Sequence, residues 1–135
     1  MKKTKPADWI FFADSDREAA KETCARGLYH VACFHAQQAA EKLLKACLSR
    51  REEAIRKTHS LQELYNDVLN DFPALQEHYD NLIALDQYYI PTCYPDALPG
   101  SLPEGLPTKE HAEKAIIDVE KLHDFVLQFS ADGTA

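Results

Sequence analysis

Glycine is scarce in this chain of 135 residues: four in all, at positions 27, 100, 105 and 133. None forms a phosphate-cradling loop, neither the Gly-x-Gly-x-x-Gly turn of dinucleotide-binding folds nor the longer loop that ends in Gly-Lys-Ser or Gly-Lys-Thr. Those nucleotide-binding modes are excluded. The four cysteines at 24, 33, 47 and 93 contain no Cys-x-x-Cys pair, and three of them fall in helical patterns, where cysteine serves as a small buried hydrophobe. Reduced thiols in a cytoplasmic protein are expected. Long apolar runs are also missing: after MKKTK the run from Trp9 to Ala13 is stopped by Asp14, too short for the core of a signal peptide. No segment approaches a membrane span, so no membrane role is expected. No stretch alternates apolar and polar residues as a half-buried strand would.

Positive charge is missing from a whole stretch. Residues 58 to 108 contain no Lys or Arg and eight carboxylates, whereas Lys42 to Lys57 holds six basic residues (Lys42, Lys45, Arg50, Arg51, Arg56, Lys57) against Glu52 and Glu53. With a formal net charge of -7 the molecule as a whole repels polyanions, so contact with nucleic acid requires a local basic patch. The segment 42 to 57 is the candidate.

What is present is enough for one helical core. The length suits one domain, 1–135, with its body over about 8–129 and a loose tail at 130–135. Hydrophobic residues at 45% and a mean hydropathy of -0.42 are ordinary for a globule. The organising stretch runs from Leu28 to Arg51, where Leu28, Val31, Ala32, Ala36, Ala39, Ala40, Leu43, Leu44 and Cys47 recur at three-and-four spacing, the period of one buried helix face. Its other face carries His35, Gln38, Glu41, Lys42 and Lys45, more varied chemistry than a structural helix requires.

The remaining helices follow from punctuation and period. The first begins near Ala7, just after Pro6, with Asp8 in its first turn, and Gly27 closes it. Ser60 with Glu63 three residues on is a capping-box pattern for a third helix, with a stripe of Leu61, Leu64, Tyr65, Val68 and Leu69. A fourth from about Ala74 turns Leu75, Tyr79, Leu82, Leu85 and Tyr89 inward and cannot pass Pro91. Prolines at 91, 95, 99, 103 and 107 then impose a proline-rich loop. Thr108 is the N-cap expected for the last helix, whose stripe runs from Ala112 to Phe129. The expected fold is all-α: an up-and-down antiparallel four-helix bundle with a short extra helix and a proline-rich loop before the last helix.

Catalytic and metal signatures are thin. A di-iron bundle needs two Glu-x-x-His motifs, and Glu120 with His123 is one such match. No metal site and no cofactor are expected. Cys93 is a loop cysteine without an identified base, which reads as inert. His59 reads as a core or capping residue, with a ligand role as the alternative, and His78 and His111 read as solvated. Tyr88, Tyr89 and Tyr94 suit packing, and their rings can also stack a base.

Three pieces together carry a resemblance: Gln38, Ala39, Ala40, Glu41, Lys42, Leu44, Lys45 and Ala46 on the central helix, then His59, Ser60, Leu61 and Leu64, and then Tyr89, Ile90, Pro91, Thr92, Tyr94, Pro95 and Asp96. In this order and separation the chain resembles the HEPN family, the higher eukaryote and prokaryote nucleotide-binding domains, over about residues 8 to 129. The resemblance implies an all-α bundle, a homodimer, and a setting beside a minimal nucleotidyltransferase as toxin and antitoxin. Many members are metal-independent ribonucleases that use an Arg, four to six intervening residues, and a His. None of Arg17, Arg26, Arg50, Arg51 or Arg56 has such a His downstream, and Cys93 stands where short members carry Arg.

The expected function is therefore a non-catalytic HEPN-like module that binds a nucleotide or RNA, with a homodimer and a nucleotidyltransferase as protein partners. A degenerate ribonuclease toxin and a scaffold subunit without a small ligand are the alternatives. Gln38, Glu41, Lys42, Lys45, His59, Tyr89, Thr92, Tyr94 and Asp96 are the ligand-binding candidates, because a lysine ammonium holds phosphate as a point charge and a tyrosine ring offers stacking area. The competing reading makes Glu41 and Lys45 an i, i+4 surface pair.

Overall fold

A computed structural model describes residues 5–51, 54–89 and 105–131, the last three as backbone only. Over these residues the chain is all-helical, with no strand among them. Three long helices, α1 (Pro6–Ala25), α2 (Tyr29–Leu48) and α5 (Lys109–Ala131), are joined by two short ones, α3 (Leu61–Leu69) and α4 (Tyr79–Asp86), the latter preceded by a 3-10 turn over Pro73–His78. This is the up-and-down bundle expected from the stripes. None of the described helices is long and apolar enough to cross a membrane.

Local chemistry accounts for the boundaries. Pro6 starts α1, and the Asp8 carboxylate accepts the Lys5 backbone N–H at 3.0 Å, placing a negative group at the positive helix end. At the other end Gly27 takes φ 81°. That left-handed turn lets Leu28 N–H return to the Thr23 carbonyl at 2.9 Å and Gly27 N–H to Cys24 at 3.0 Å, the Schellman closure that favours glycine. Two residues later α2 begins, antiparallel to α1. α5 also runs against α1, since His123 pairs with Asp14 at 3.4 Å and Arg17 with Glu120 at 2.5 Å.

The capping pattern at Ser60 is half realised. Ser60 Oγ accepts the Glu63 N–H at 3.2 Å, but the Glu63 carboxylate takes the Thr58 hydroxyl proton, and it is Thr58 Oγ1 that accepts the Ser60 N–H at 3.0 Å. The next two amides are held from outside the helix, Leu61 N–H by Asp86 Oδ1 at 2.9 Å and Gln62 N–H by Asp86 Oδ2 at 3.4 Å. The last residue of α4 thus caps the start of α3. Thr108 caps α5 as expected, with His111 in the reciprocal role: its Nδ1 accepts the Thr108 N–H at 2.9 Å while Thr108 Oγ1 accepts the His111 N–H at 3.3 Å.

α2 is the shared wall, packed against α1, α3, α4 and α5. The seam with α1 is lined by small residues, Ala13 and Ala20 on one side and Ala32, Ala36, Ala39 and Ala40 on the other, all without exposure. Larger side chains fill the opposite side: Leu43, Leu44, Leu61, Leu64, Leu75, Leu82, Leu85 and Leu122 are fully buried, each worth roughly 1.5–3 kcal/mol against exposure. Three details depart from the expected stripes. Leu28 is exposed because it precedes α2, Tyr79 is exposed and meets Tyr65 edge-on at 5.0 Å, and the segment from Pro73 winds as a tight turn before α4. Most of the proline-rich loop lies outside the described residues.

Candidate functional site

Apart from Asp118, which pairs with Lys114 within α5, the buried charged groups among the described residues lie along α2 and the face of α1 against it. Glu41 is the centre. Its carboxylate accepts the Lys45 ammonium at 2.9 Å and the Gln38 amide at 3.4 Å, and meets His59 Nδ1 at 3.0 Å. Glu41 retains 4% of its exposure and Lys45 9%, so this i, i+4 pair is a buried one, and each charge depends on the other to offset its loss of water. Trp9 of α1 closes the site, its ring 5.6 Å below the Lys45 ammonium. Gln37, with no exposure, donates to the His59 carbonyl at 3.0 Å and accepts from Gln38 at 2.7 Å. The loop before α3 is thereby tied to α2.

His59 is held on two sides and open on a third. One ring nitrogen faces Glu41, its ring lies parallel to Tyr89 with centroids 4.5 Å apart and planes 13° apart, and its side chain remains 56% exposed. Tyr89 in turn reaches Phe34 of α2 at 6.1 Å, and Phe34 reaches His35 at 5.6 Å. Four rings therefore form a continuous row.

At the far end of the row the same chemistry recurs. Asp16, on the inner side of α1, accepts the Lys42 ammonium and meets His35 Nδ1 at 2.9 Å. Burial works against its ionisation, but the hydrogen bonds and positive charges of His35 and Lys42 outweigh it, and the carboxyl titrates below its ordinary 3.8. Two lysine–carboxylate–histidine units thus stand along α2.

The basic segment does not form an open patch. Arg51 bonds to Asp71 at 2.8 Å and to the Asp67 carbonyl at 2.7 Å, and Arg56 holds Asp67 at 3.0 and 3.1 Å. Arg50 lies over the Phe72 ring at 5.0 Å. Acids of the lysine-free stretch neutralise arginines of the basic one across the α2–α3 connection. Among the described residues no group of three or more histidines, cysteines and carboxylates is placed to hold a metal ion, and the Glu120 carboxylate is engaged by Arg17 and Lys21. Burial pushes the Cys33 and Cys47 thiols up to about 12, which leaves them protonated and unreactive.

The HEPN domain model matches this chain over residues 6–129. The chain belongs to the HEPN domain family. A crystal structure from Thermus thermophilus is similar over 91% of this HEPN chain and 96% of its own, with 34% identity and a TM-score of 0.77. The crystal structure of an archaeal HEPN homologue is similar over 93% and 97%, with 30% identity and a TM-score of 0.72. None of the curated proteins matches significantly.

Within this HEPN bundle, five of the residues selected from sequence come together: Gln38, Glu41 and Lys45 on α2, with His59 and Tyr89. Lys42 turns to Asp16 instead. Thr92, Tyr94 and Asp96 lie outside the described residues, as does Cys93. Asp16, His35 and Gln37 belong to the network and were not selected. A signal for Asp16 did exist: it sits between Ala13 and Ala20 on the buried side of α1, and a carboxylate on an apolar stripe needs partners.

Proposed function

We propose that this HEPN domain is a non-catalytic module that binds a nucleotide or single-stranded RNA on the face running from His59 and Tyr89 to His35. One observation carries the reading: an exposed imidazole held rigid by a buried carboxylate and a stacked tyrosine. Fixing these rings before a ligand arrives removes most of the ordering cost of binding, and a base stacked on such a surface gains roughly 1–3 kcal/mol. Lys42 and Lys45 contribute through the carboxylates they neutralise. The absent Arg-to-His motif supports the non-catalytic reading.

Calorimetric titration with mononucleotides tests this. Wild type binds, and His59→Ala weakens binding roughly tenfold, from loss of about 1.4 kcal/mol of stacking and hydrogen bonding. Binding left unchanged both by His59→Ala and by Lys42→Ala with Lys45→Ala places the site elsewhere. Absence of binding to any nucleotide favours the scaffold role. A second reading draws on the Glu41–His59 pair, because a carboxylate-oriented imidazole is also the arrangement of a general base. Cleavage of single-stranded RNA by purified protein, abolished by His59→Ala, decides for that reading.

As partners we propose a second copy and a nucleotidyltransferase encoded alongside. Family membership supports both, and the exposed pair Phe11 and Phe12 on α1, 66% and 55% accessible, supports association through an apolar surface. Sedimentation equilibrium at micromolar concentration should give twice 15.3 kDa. A monomer under those conditions removes the first partner, and failure to co-purify with the neighbouring gene's product removes the second.

A further inference from the structure

The two lysine–carboxylate–histidine units share a chemical consequence. In each, Nδ1 of the histidine faces the carboxylate, Glu41 for His59 and Asp16 for His35, at 3.0 and 2.9 Å. A carboxylate accepts and never donates, so the proton of a neutral imidazole resides on Nδ1. The remaining nitrogen, Nε2, then presents a lone pair. It repels a phosphate oxygen. Only the imidazolium has an N–H to offer there.

Charge follows the same logic. With its histidine neutral, each unit sums to zero, one ammonium against one carboxylate; with the histidine protonated, each carries one positive charge. Among the described residues, the groups that pair with or stack on the two rings are these. Around His35 they are Asp16 from α1 and Lys42 from α2. Around His59 they are Glu41 and Lys45 from α2 and the Tyr89 ring beyond α4, while on the α3 side Glu63 is turned to Thr58 and Arg56. Phe34 and Tyr89 join the two histidines through ring contacts of 5.6, 6.1 and 4.5 Å. That order, a histidine at each end and aromatic rings between, matches the chemistry of an anion with two phosphates and a flat group between them.

We propose that His35 and His59 form a two-point phosphate site that binds its anion together with protons, one per histidine. This rests on the reading of the face as a nucleotide or RNA site. It goes beyond that reading by making the site silent when both imidazoles are neutral and engaged when both are charged, so that affinity is set by proton concentration.

The deoxy trinucleotide d(AAA) is a suitable probe: its two phosphodiesters hold a fixed charge, and without a 2′-hydroxyl it resists cleavage. Its dissociation constant is measured between about pH 7.5 and pH 6, while the ring C–H resonances of the histidines are followed by NMR. Affinity should rise toward lower pH, by at most about tenfold per pH unit for each linked proton, and the ligand should move the titration curves of His35 and His59 but not those of His30, His78, His111 and His123. In either His35→Gln or His59→Gln, at half-buried or exposed positions where folding is not at risk, the pH slope should fall by about one proton. Binding of d(AAA) that is flat with pH, or a slope carried by the other histidines, overturns the proton linkage and leaves the binding site standing. No binding at any pH overturns both.

Discussion

Removing the Glu41 carboxylate alone should be among the costliest single changes in this protein. Glu41→Leu leaves the Lys45 ammonium buried at 9% exposure with no counter-charge. Breaking one side of a buried pair costs about 3–5 kcal/mol, and the Trp9 ring beneath the ammonium, present before and after the change, replaces none of the lost counter-charge. A loss at the lower end, about 3 kcal/mol, is a large share of the ~5–15 kcal/mol that holds a domain folded. In urea, with a slope near ~2 kcal/mol per molar, the unfolding midpoint should fall by about 1.5 M. Adding Lys45→Met to Glu41→Leu removes the stranded charge, and the double variant should recover to within ~1 kcal/mol of wild type. The remaining deficit is that of Gln38 and His59, which lose an acceptor; His59 is exposed enough for water to replace it. A cost under ~1 kcal/mol for Glu41→Leu, the range of a solvent-screened surface pair, or a double variant less stable than the single, refutes the dependence of Lys45 on its buried partner.

Other perturbations probe separate features. Asp86→Ala should destabilise by ~1–2 kcal/mol and speed amide exchange at Leu61 and Gln62, because the start of α3 loses its external acceptor; equal exchange in variant and wild type counts against the cap. Asp16 titrates lower folded than unfolded, so the stability it contributes is full above about pH 5 and is lost as pH falls through its folded value. Asp16→Asn should therefore flatten the acid limb of a stability-against-pH curve. His78 is also lowered, by burial, against the Phe125 ring at 4.9 Å; the unfolded chain takes up the proton first, so His78→Leu should remove a loss of stability that begins as pH drops below the ordinary 6.5. Mass-mapped alkylation of the native protein should leave Cys33 and Cys47 unmodified until urea unfolds it, and early labelling of either contradicts their burial.

Helix positions were legible because they depend on local signals. Pro6 and Gly27 mark ends through their own backbone and Ser60 and Thr108 through their hydroxyls, and the stripe of α2 follows from its period. Partner choice was not legible, because it depends on which faces meet. Lys42 and Lys45 look equivalent in sequence, yet one is turned to α1 and Asp16 and the other stays on α2 with Glu41. The segregation of charge between Lys42–Lys57 and the stretch after it suggests an open basic patch, but the fold lays α3 beside the arginines and pairs Arg51 and Arg56 with Asp71 and Asp67. Glu63 likewise departs from its capping role because Thr58, an earlier loop residue, reaches it first.

The order of the elements along the chain bears on how this protein is made. α1 and α2 are joined by a three-residue turn and meet along an alanine seam, so their hairpin forms from contacts close in sequence, the kind that assemble fastest. α5, which covers another side of α2, begins only at Lys109. At a synthesis rate of about 5–20 residues per second, several seconds pass between emergence of the hairpin and arrival of its cover. During that interval the side of α2 that α5 will cover faces water, an apolar surface open to a nascent-chain chaperone.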